Sequence, residues 1–102
     1  MIRYVFSKET ENDLIEIYRY GFLNHSERQA ERYQKSLKEK CQFLADNPRL
    51  YREREEFSPP VRIHHHKKHL IIYIIEADHI LIIRVLHEGM ETEQYLQESL
   101  KK

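Results

Sequence analysis

The hydrophobic positions along this chain change their period, and each period predicts a different element. Ile2 to Phe6 is β-branched and aromatic, which is typical of a short strand, and the Ser7 that follows is a favoured helix N-cap. A helical period comes next, with apolar positions at i, i+3, i+4, i+7 and i+8. This stripe consists of Leu14, Ile17, Tyr18, Gly21 and Phe22. The spacing predicts an amphipathic helix, in which Gly21 allows close packing against a neighbouring element.

A second helix is predicted from Ser26 to Asn47. Ser26 with Gln29 three residues later forms a capping box, and the residue before Pro48 is pushed out of the helical region. The inner stripe consists of Ala30, Tyr33, Leu37, Cys41, Leu44 and Ala45. Because the connection between the two helices is short, we expect an antiparallel hairpin.

From Val61 the period changes to two, which indicates strands. The run Leu70 to Ile75 is apolar on both faces and predicts a central, covered strand, and Ile80 to Leu86 is a second apolar run. The turns between these segments are too short for crossovers, so we expect a three-stranded antiparallel meander. Gly89 ends the sheet, and Thr92 is expected to cap a last short helix.

The expected order is therefore β-α-α-β-β-β-α in a single domain, residues 1–102. The fold class is α+β with two layers: an N-terminal strand and an antiparallel helical hairpin packed on the meander, followed by a short C-terminal helix. The 102 residues and the 40% hydrophobic content suit one modest core.

Composition excludes several classes of function. The 17 acids balance 17 Lys and Arg residues, which argues against a generic nucleic-acid binder, although residues 62–69 form a local basic patch. The longest apolar run has six residues, against about 20 for a membrane helix. The single cysteine, Cys41, and the lack of a signal peptide lead us to expect a cytoplasmic protein without membrane contact.

No metal or other cofactor is expected. His64, His66 and His69 lie close in sequence, but a zinc site usually has four ligands, and a second cysteine is missing. A polar strand face or a partner contact is the preferred interpretation of these histidines. Gly21 and Gly89 stand alone, so the chain has no phosphate-binding glycine loop.

Arg84 interrupts the last apolar run and leaves two interpretations open. It could be ion-paired, with Glu76 or with an acid beyond the sheet, because an unpaired buried guanidinium is costly. It could instead be a cation held by a rigid strand above a groove. His87 follows three residues later, near Glu88 and Tyr95, so an acid–base site is conceivable. The several convergent cations needed to cleave RNA are not evident, and no catalytic residue is expected.

Several segments together resemble the ParE-type toxins of the RelE/ParE superfamily. In the hairpin these are Asp13 to Tyr18, Gln29 to Tyr33 and Leu44 to Pro48. In the sheet they are Val61-Arg62, His69 to Tyr73 and, most specifically, Arg84-Val85-Leu86-His87-Glu88-Gly89-Met90-Glu91, which resembles that family's "RVLH-x-x-M-D" ending. The similarity runs from about Ile2 to Leu96, with Glu91 standing where the family usually has Asp.

The resemblance implies a type II toxin that poisons DNA gyrase, blocks replication and is held inactive by a ParD-like antitoxin. RelE-like relatives instead cut mRNA on the ribosome, with the help of a basic loop before the sheet. Here that loop reads Arg52-Glu53-Arg54-Glu55-Glu56, whose acids would repel phosphate, which favours the ParE side. No direct sequence-specific binding to nucleic acid is expected.

These implications assign candidate residues. The target-binding residues are Arg84, His87, Glu88, Met90 and Tyr95, and the antitoxin-binding candidates are Leu14, Ile15, Tyr18, Phe22 and Tyr33. In the alternative of a ribosome-dependent mRNA endonuclease, His87 is the general base, Arg62 and Arg84 hold phosphate, and Tyr95 completes the site. A third hypothesis is an inactive homologue that only binds antitoxin.

Overall fold

The computed structural model describes residues 3–101 and confirms the predicted order of elements. These are β1 (Arg3–Phe6), α1 (Lys8–Asn24), α2 (Glu27–Asp46), β2 (Arg62–His66), β3 (His69–Ile75), β4 (His79–His87) and α3 (Thr92–Leu100). Ile2, the predicted start of the first strand, lies outside the described residues. The fold is α+β, as expected.

The four strands form one mixed sheet in the order β1-β4-β3-β2. The predicted antiparallel meander is confirmed for β2, β3 and β4, and β1 adds a parallel strand beside β4. A bulge interrupts the β3–β4 ladder, because Ile72 pairs with Arg84 while the next residue, Tyr73, pairs with Ile82. Ile83 is therefore the extra residue, and the bulge places Arg84 where the strand is irregular.

The start of α1 covers the part of β4 that β1 does not reach. β1 pairs with β4 only as far as Ile82, so the following backbone groups of β4 need other partners. The Ser7 N–H donates to the Ile82 carbonyl at 3.0 Å, and the buried Thr10 hydroxyl donates to the same oxygen at 2.7 Å. Polar side chains of the first helical turns thereby complete the sheet edge.

The helical hairpin packs on one face of the sheet, as predicted. Both predicted serine N-caps are confirmed: Ser7 accepts from the Thr10 N–H and Ser26 from the Gln29 N–H. A Cβ atom at Gly21 would lie 3.3 Å from the Cβ of Ala30, so the glycine allows the two helices to approach closely. The buried side chains between the hairpin and the sheet include Leu14, Leu37, Cys41, Leu44, Ile71, Tyr73, Ile80, Ile82 and Val85.

A second apolar cluster lies on the opposite face of the sheet, beneath α3 and the 49–61 loop. It consists of Phe57, Val61, Ile72, Ile83, Leu86 and Leu96. The cluster explains why the strand from Leu70 to Ile75 is apolar on both faces. The helix itself begins at Thr92, but its N-cap residue is Glu91 and no side chain caps it, so the prediction of Thr92 as the cap was wrong.

Candidate functional site

Arg84 joins three elements through a nearly buried ion pair and a hydrogen bond. Its Nε and Nη2 donate to the two carboxylate oxygens of Asp13 on α1, each at 2.8 Å. Both side chains are only 13% exposed. The third guanidinium nitrogen donates to the Ser99 hydroxyl on α3 at 3.1 Å, and Glu9 lies 3.9 Å away. The ion-paired interpretation of Arg84 therefore describes its contacts, and the partner is not Glu76 but an acid beyond the sheet, Asp13.

The geometry of this pair explains why a charge is tolerated in the apolar strand. A bidentate arginine–carboxylate pair combines charge with two directed hydrogen bonds, which offsets the cost of desolvation. Oδ2 of Asp13 also accepts the Val85 N–H at 3.0 Å, so the carboxylate completes the β4 edge as well. The hydrogen bonds that Arg84 donates to Asp13 raise the pKa of the guanidinium above its ordinary value and keep it charged.

Tyr95 lies beside this pair, on α3. The guanidinium carbon of Arg84 is 5.9 Å from the centre of the Tyr95 ring, within cation–π range, and the tyrosine remains 38% exposed. Arg84 therefore positions an aromatic ring that solvent or a partner can reach. Of the predicted target-binding residues, these two are brought into contact.

The segment from His87 to Met90, which we call the β4 end, forms a separate group. The exposed His87 accepts the Gly89 N–H at its Nδ1, at 3.0 Å, and its ring lies edge-on to His69 at 5.5 Å. Glu88 pairs with His65 on the strand β2 at 2.8 Å. Met90 packs partly into the second apolar cluster. The β4 end is therefore a short segment that is held by contacts of His87, Glu88 and Met90 and has polar groups facing solvent.

Arg62 lies away from Arg84 in the sheet. It stands on β2, the edge strand, with β3 between it and β4, a separation of about 10 Å across two strand spacings. Its Nη1 donates to the Tyr51 carbonyl at 2.6 Å. The two arginines of the endonuclease alternative are therefore on different strands and each is already engaged by a protein acceptor.

The predicted antitoxin contacts separate into inward and outward groups. Leu14 is buried in the core at 7% exposure, and Tyr33 faces the sheet, where its hydroxyl bonds to His69. Ile15 and Phe22 are exposed by 62% and 48%. Tyr18 stacks on Phe22 with ring centres 6.4 Å apart. The exposed Ile15 and Phe22 and the half-buried Tyr18 thus lie on one side of α1, which we call the α1 apolar flank.

His66 and His69 contact side chains of α2, and His64 packs on the loop residue Tyr51. His66 Nε2 lies 3.2 Å from the Ser36 hydroxyl, and the His64 ring packs against Tyr51 at 4.7 Å. Burial lowers the pKa of His69 to about 4 and lowers the pKa of His64 and His66 as well, so it favours the neutral form of all three imidazoles. Within residues 3–101, no three His, Cys, Asp or Glu side chains are grouped to hold a metal ion.

Sequence reasoning missed two partners in this region, Asp13 and Tyr33. Asp13 lies at helical spacing from Thr10 and Ile17 on the inner side of α1, so an acid on the core-facing side was a signal for a buried cation. No comparable signal pointed from Tyr33 to His69, because 36 residues separate them.

Comparisons with known proteins agree with this geometry. The family model described as "ParE toxin of type II toxin-antitoxin system, parDE" matches residues 4–92. A solved structure described as "Chromosomal ParDE TA system from P. aeruginosa" contains a chain that superposes with a TM-score of 0.71 at 18% identity. The match covers 85% of this chain and 96% of that chain, and it shows the shared fold. The search of curated proteins returned no match. No helix in residues 3–101 is long and apolar enough to span a bilayer.

Proposed function

Because the chain belongs to the ParE toxin family of type II toxin–antitoxin systems, we propose that it acts by binding DNA gyrase and that a ParD-like antitoxin neutralises it by direct contact. The proposed action is non-enzymatic: the toxin binds the topoisomerase and thereby blocks replication. The contacts of the described side chains support gyrase binding over RNA cleavage.

The arrangement of the two candidate phosphate-holding arginines carries the proposal. All three guanidinium nitrogens of Arg84 already donate, to Asp13 and to Ser99, and Arg62 stands two strands away. Stabilising the charge that develops on a scissile phosphate needs donors that converge on one point and are free to bind it. Both arginines instead donate to acceptors within the protein and stand on different strands, so an action through protein contact fits them better.

The surface proposed for gyrase combines the β4 end with Tyr95. Exposed His87, Glu88 and Tyr95 lie on or beside rigid elements, and the Arg84 bridge holds α3 against β4. A preorganised surface loses little conformational entropy on binding. Arg84 enters this proposal as the residue that positions Tyr95, rather than as a direct contact.

The surface proposed for the antitoxin is the α1 apolar flank. Large exposed apolar side chains at helical spacing are suited to an amphipathic partner helix. Such a partner segment would be disordered when free and would fold on binding, so that proteolysis of the antitoxin releases the toxin. Of the five candidate contacts, Ile15, Tyr18 and Phe22 stay in this proposal, because Leu14 and Tyr33 are turned inward.

Purified toxin in two parallel assays tests the proposed target. We expect inhibition of gyrase supercoiling and accumulation of cleaved DNA, with no effect on a reconstituted translation reaction. The double variant His87→Ala/Tyr95→Ala should weaken the gyrase effect by about tenfold or more, as for a pair of interface hot-spot residues. Gln97→Ala, an exposed α3 residue, is the matched control.

Each alternative has its own signature in the same pair of assays. Message cleaved within ribosomes, and abolished by His87→Ala, would replace gyrase with an endonuclease activity. Inactivity in both assays, with harmless expression in cells lacking antitoxin, would identify an inactive homologue that only binds its partner.

A further inference from the structure

Four half-buried polar side chains form a row between α2 and β2. His64 and His66 are two residues apart on one face of the strand, about 7 Å, and Ser36 and Lys40 are about 6 Å apart along the helix. The Ser36 hydroxyl lies 3.2 Å from His66 Nε2. Burial lowers the pKa of both imidazoles most, and the nearby charge of Lys40 lowers both further. The matched spacings place the two pairs side by side, and we call this row the α2–β2 strip.

Lys67, in the β2–β3 turn, adds a second lysine at one end of the strip. Its φ of 55° is left-handed, a conformation that suits glycine or asparagine and is uncommon for lysine. Its Nζ lies 5.6 Å from the centre of the Tyr33 ring, and that ring stacks on His66. After burial, the charges of Lys67 and Lys40 both lower the pKa of His66. The two ammonium groups are therefore within electrostatic range of one imidazole.

The positive charge of this strip is not balanced by carboxylates in the described part of the chain. Arg84, Arg54 and His65 show the contrast, since each lies 2.8 Å from a carboxylate oxygen. Among residues 3–101, neither Lys40 nor Lys67 forms such an ion pair. The charged groups that lower the pKa of the strip imidazoles, after burial, are lysines and neighbouring histidines. A negatively charged ligand would supply the missing balance.

His64 has a polar atom that the fold leaves without a partner. Its Nδ1 is buried and makes no hydrogen bond with any described residue. Buried polar atoms are nearly always hydrogen-bonded, and an exception often marks the place of a water or an ion. Burial favours the neutral form of this imidazole by lowering its pKa, and a neutral ring carries one N–H that can donate. The nearby lysines favour an acceptor that is negatively charged.

We propose that the α2–β2 strip binds a phosphate group, either free phosphate or the phosphate ester of a small molecule. Lys40 and Lys67 would neutralise its charge, and His64 would donate a hydrogen bond to one of its oxygens. The strip suits a single phosphate, because its two histidines are only about 7 Å apart. The chain has a net charge of zero and thus lacks the basic excess that follows a nucleic-acid backbone.

The phosphate site does not depend on the gyrase or antitoxin assignments. The strip shares no residue with the β4 end, with Tyr95 or with the α1 apolar flank. Binding can therefore be measured on the purified toxin alone, and the result does not change with the outcome of the gyrase assay.

Titration of the full-length toxin with inorganic phosphate tests the site, with ionic strength held constant by sodium chloride. We expect saturable shifts of the His64 and His66 imidazole signals in NMR spectra, with a Kd of about 1 mM or tighter. Lys40→Met keeps an aliphatic side chain, removes the charge and should weaken binding at least about tenfold. Lys38→Met is the matched control, because two residues turn a helix by about 200° and place Lys38 on the other flank.

A second variant, Lys67→Asn, removes the other charge from the strip. Asparagine suits the left-handed turn position, so the turn is retained, and we expect phosphate binding to weaken about tenfold. Unchanged binding by both Lys40→Met and Lys67→Asn would overturn the proposal. Imidazole shifts that chloride produces as well as phosphate would also overturn it, because they would report only screening.

Two further ligands identify the source of the phosphate. Binding of AMP that equals or falls below that of inorganic phosphate would assign the strip to free phosphate. Binding of AMP that is about tenfold tighter would assign the strip to a phosphate ester whose nucleoside also contacts the protein. A single-stranded oligouridylate that shifts the same imidazoles and binds at least about tenfold more tightly than AMP would overturn the small-molecule proposal in favour of nucleic acid.

Discussion

At the scale of single residues, the pair of Arg84 and Asp13 links the toxin's sheet to its first helix. The pair is bidentate and nearly buried, and the same carboxylate accepts a backbone N–H from β4. Removing one member of such a pair leaves an uncompensated charge in a poorly solvated place. The contribution of this pair is therefore best measured as the loss of unfolding free energy when one member is replaced.

We expect Asp13→Asn to destabilise the protein by about 3 kcal/mol, because Arg84 keeps its charge and loses its bidentate partner, while Glu9 remains only at 3.9 Å. Urea unfolding followed by circular dichroism measures the change. Glu16→Gln, an exposed acid of the same helix, is the matched control and should change stability by less than about 0.5 kcal/mol. A loss for Asp13→Asn as small as the control's would mean that solvent replaces the carboxylate.

The half-buried imidazole of His69 predicts a pH dependence of stability. Its pKa is lowered by burial from 6.5 to about 4, so the folded state favours the neutral ring, which bonds to Tyr33. A lowered histidine pKa adds stability that is complete above pH 6.5 and is lost as the pH falls toward 4. Neighbouring charges include His66 and His87, whose protonation opposes that of His69, and Glu88 and Asp13, which favour it.

The free energy of unfolding of the wild type should fall between pH 6.5 and 4.5, and His69→Gln should flatten this fall. The largest difference in slope that one proton can produce is roughly 1.4 kcal/mol per pH unit. Urea titrations at several pH values provide the measurement, with His25→Gln, an exposed histidine, as control. Parallel pH profiles for the wild type and His69→Gln would show that His69 is not responsible.

At the scale of elements, close approach of the two helices controls how the hairpin packs. A Cβ at Gly21 would meet the Cβ of Ala30 at 3.3 Å and its Cα at 3.4 Å, which is tight but close to ordinary contact. Larger side chains would have to push α2 away from α1. The glycine thus lowers the helix propensity of α1 but allows α1 and α2 to pack closely.

Two substitutions at Gly21 should behave differently. Gly21→Ala gains up to about 1 kcal/mol of helix propensity and loses part of it to the close contact, so we expect a small net change. Gly21→Leu should destabilise by about 2 kcal/mol, in the range of overpacked core positions. Thermal unfolding of both variants checks this. A stability for Gly21→Leu equal to that of the wild type would show that the hairpin can open without cost.

At the scale of the whole molecule, the sheet separates the two surfaces proposed for partners. The α1 apolar flank belongs to the hairpin on one face, and Tyr95 belongs to α3, which covers the other face. Because the proposed antitoxin and target surfaces share no residues, substitutions should affect neutralisation and toxicity separately.

We expect Ile15→Glu/Phe22→Glu to remain toxic and to escape its antitoxin, because two charges would enter an apolar contact. Binding should weaken about a hundredfold or more, measured by calorimetry with the cognate antitoxin and by growth with both genes expressed. Tyr20→Glu is the matched control, since Tyr20 is 65% exposed on the opposite flank of the helix. Normal neutralisation of the double variant would move the antitoxin contact elsewhere.

The elements and the family could be predicted from the sequence, because their causes are local. Serine caps, the helical stripes and the change to period two all depend on neighbours within about one turn or one strand. The caps at Ser7 and Ser26, which were predicted from local sequence, are both confirmed. The ordered motifs of the hairpin and the last strand likewise indicated the ParE family, which the match over residues 4–92 confirmed.

What only the tertiary structure decided depends on contacts between residues far apart in the chain. The partner of Arg84 is 71 residues away, β1 joins the sheet beside the last strand of the meander, and α3 closes a second apolar cluster. The local pattern shows that a buried arginine requires an acidic partner and that an apolar sheet face must pack against another element. It does not identify the acid or the element, because residues that meet in the tertiary structure have no regular spacing along the chain.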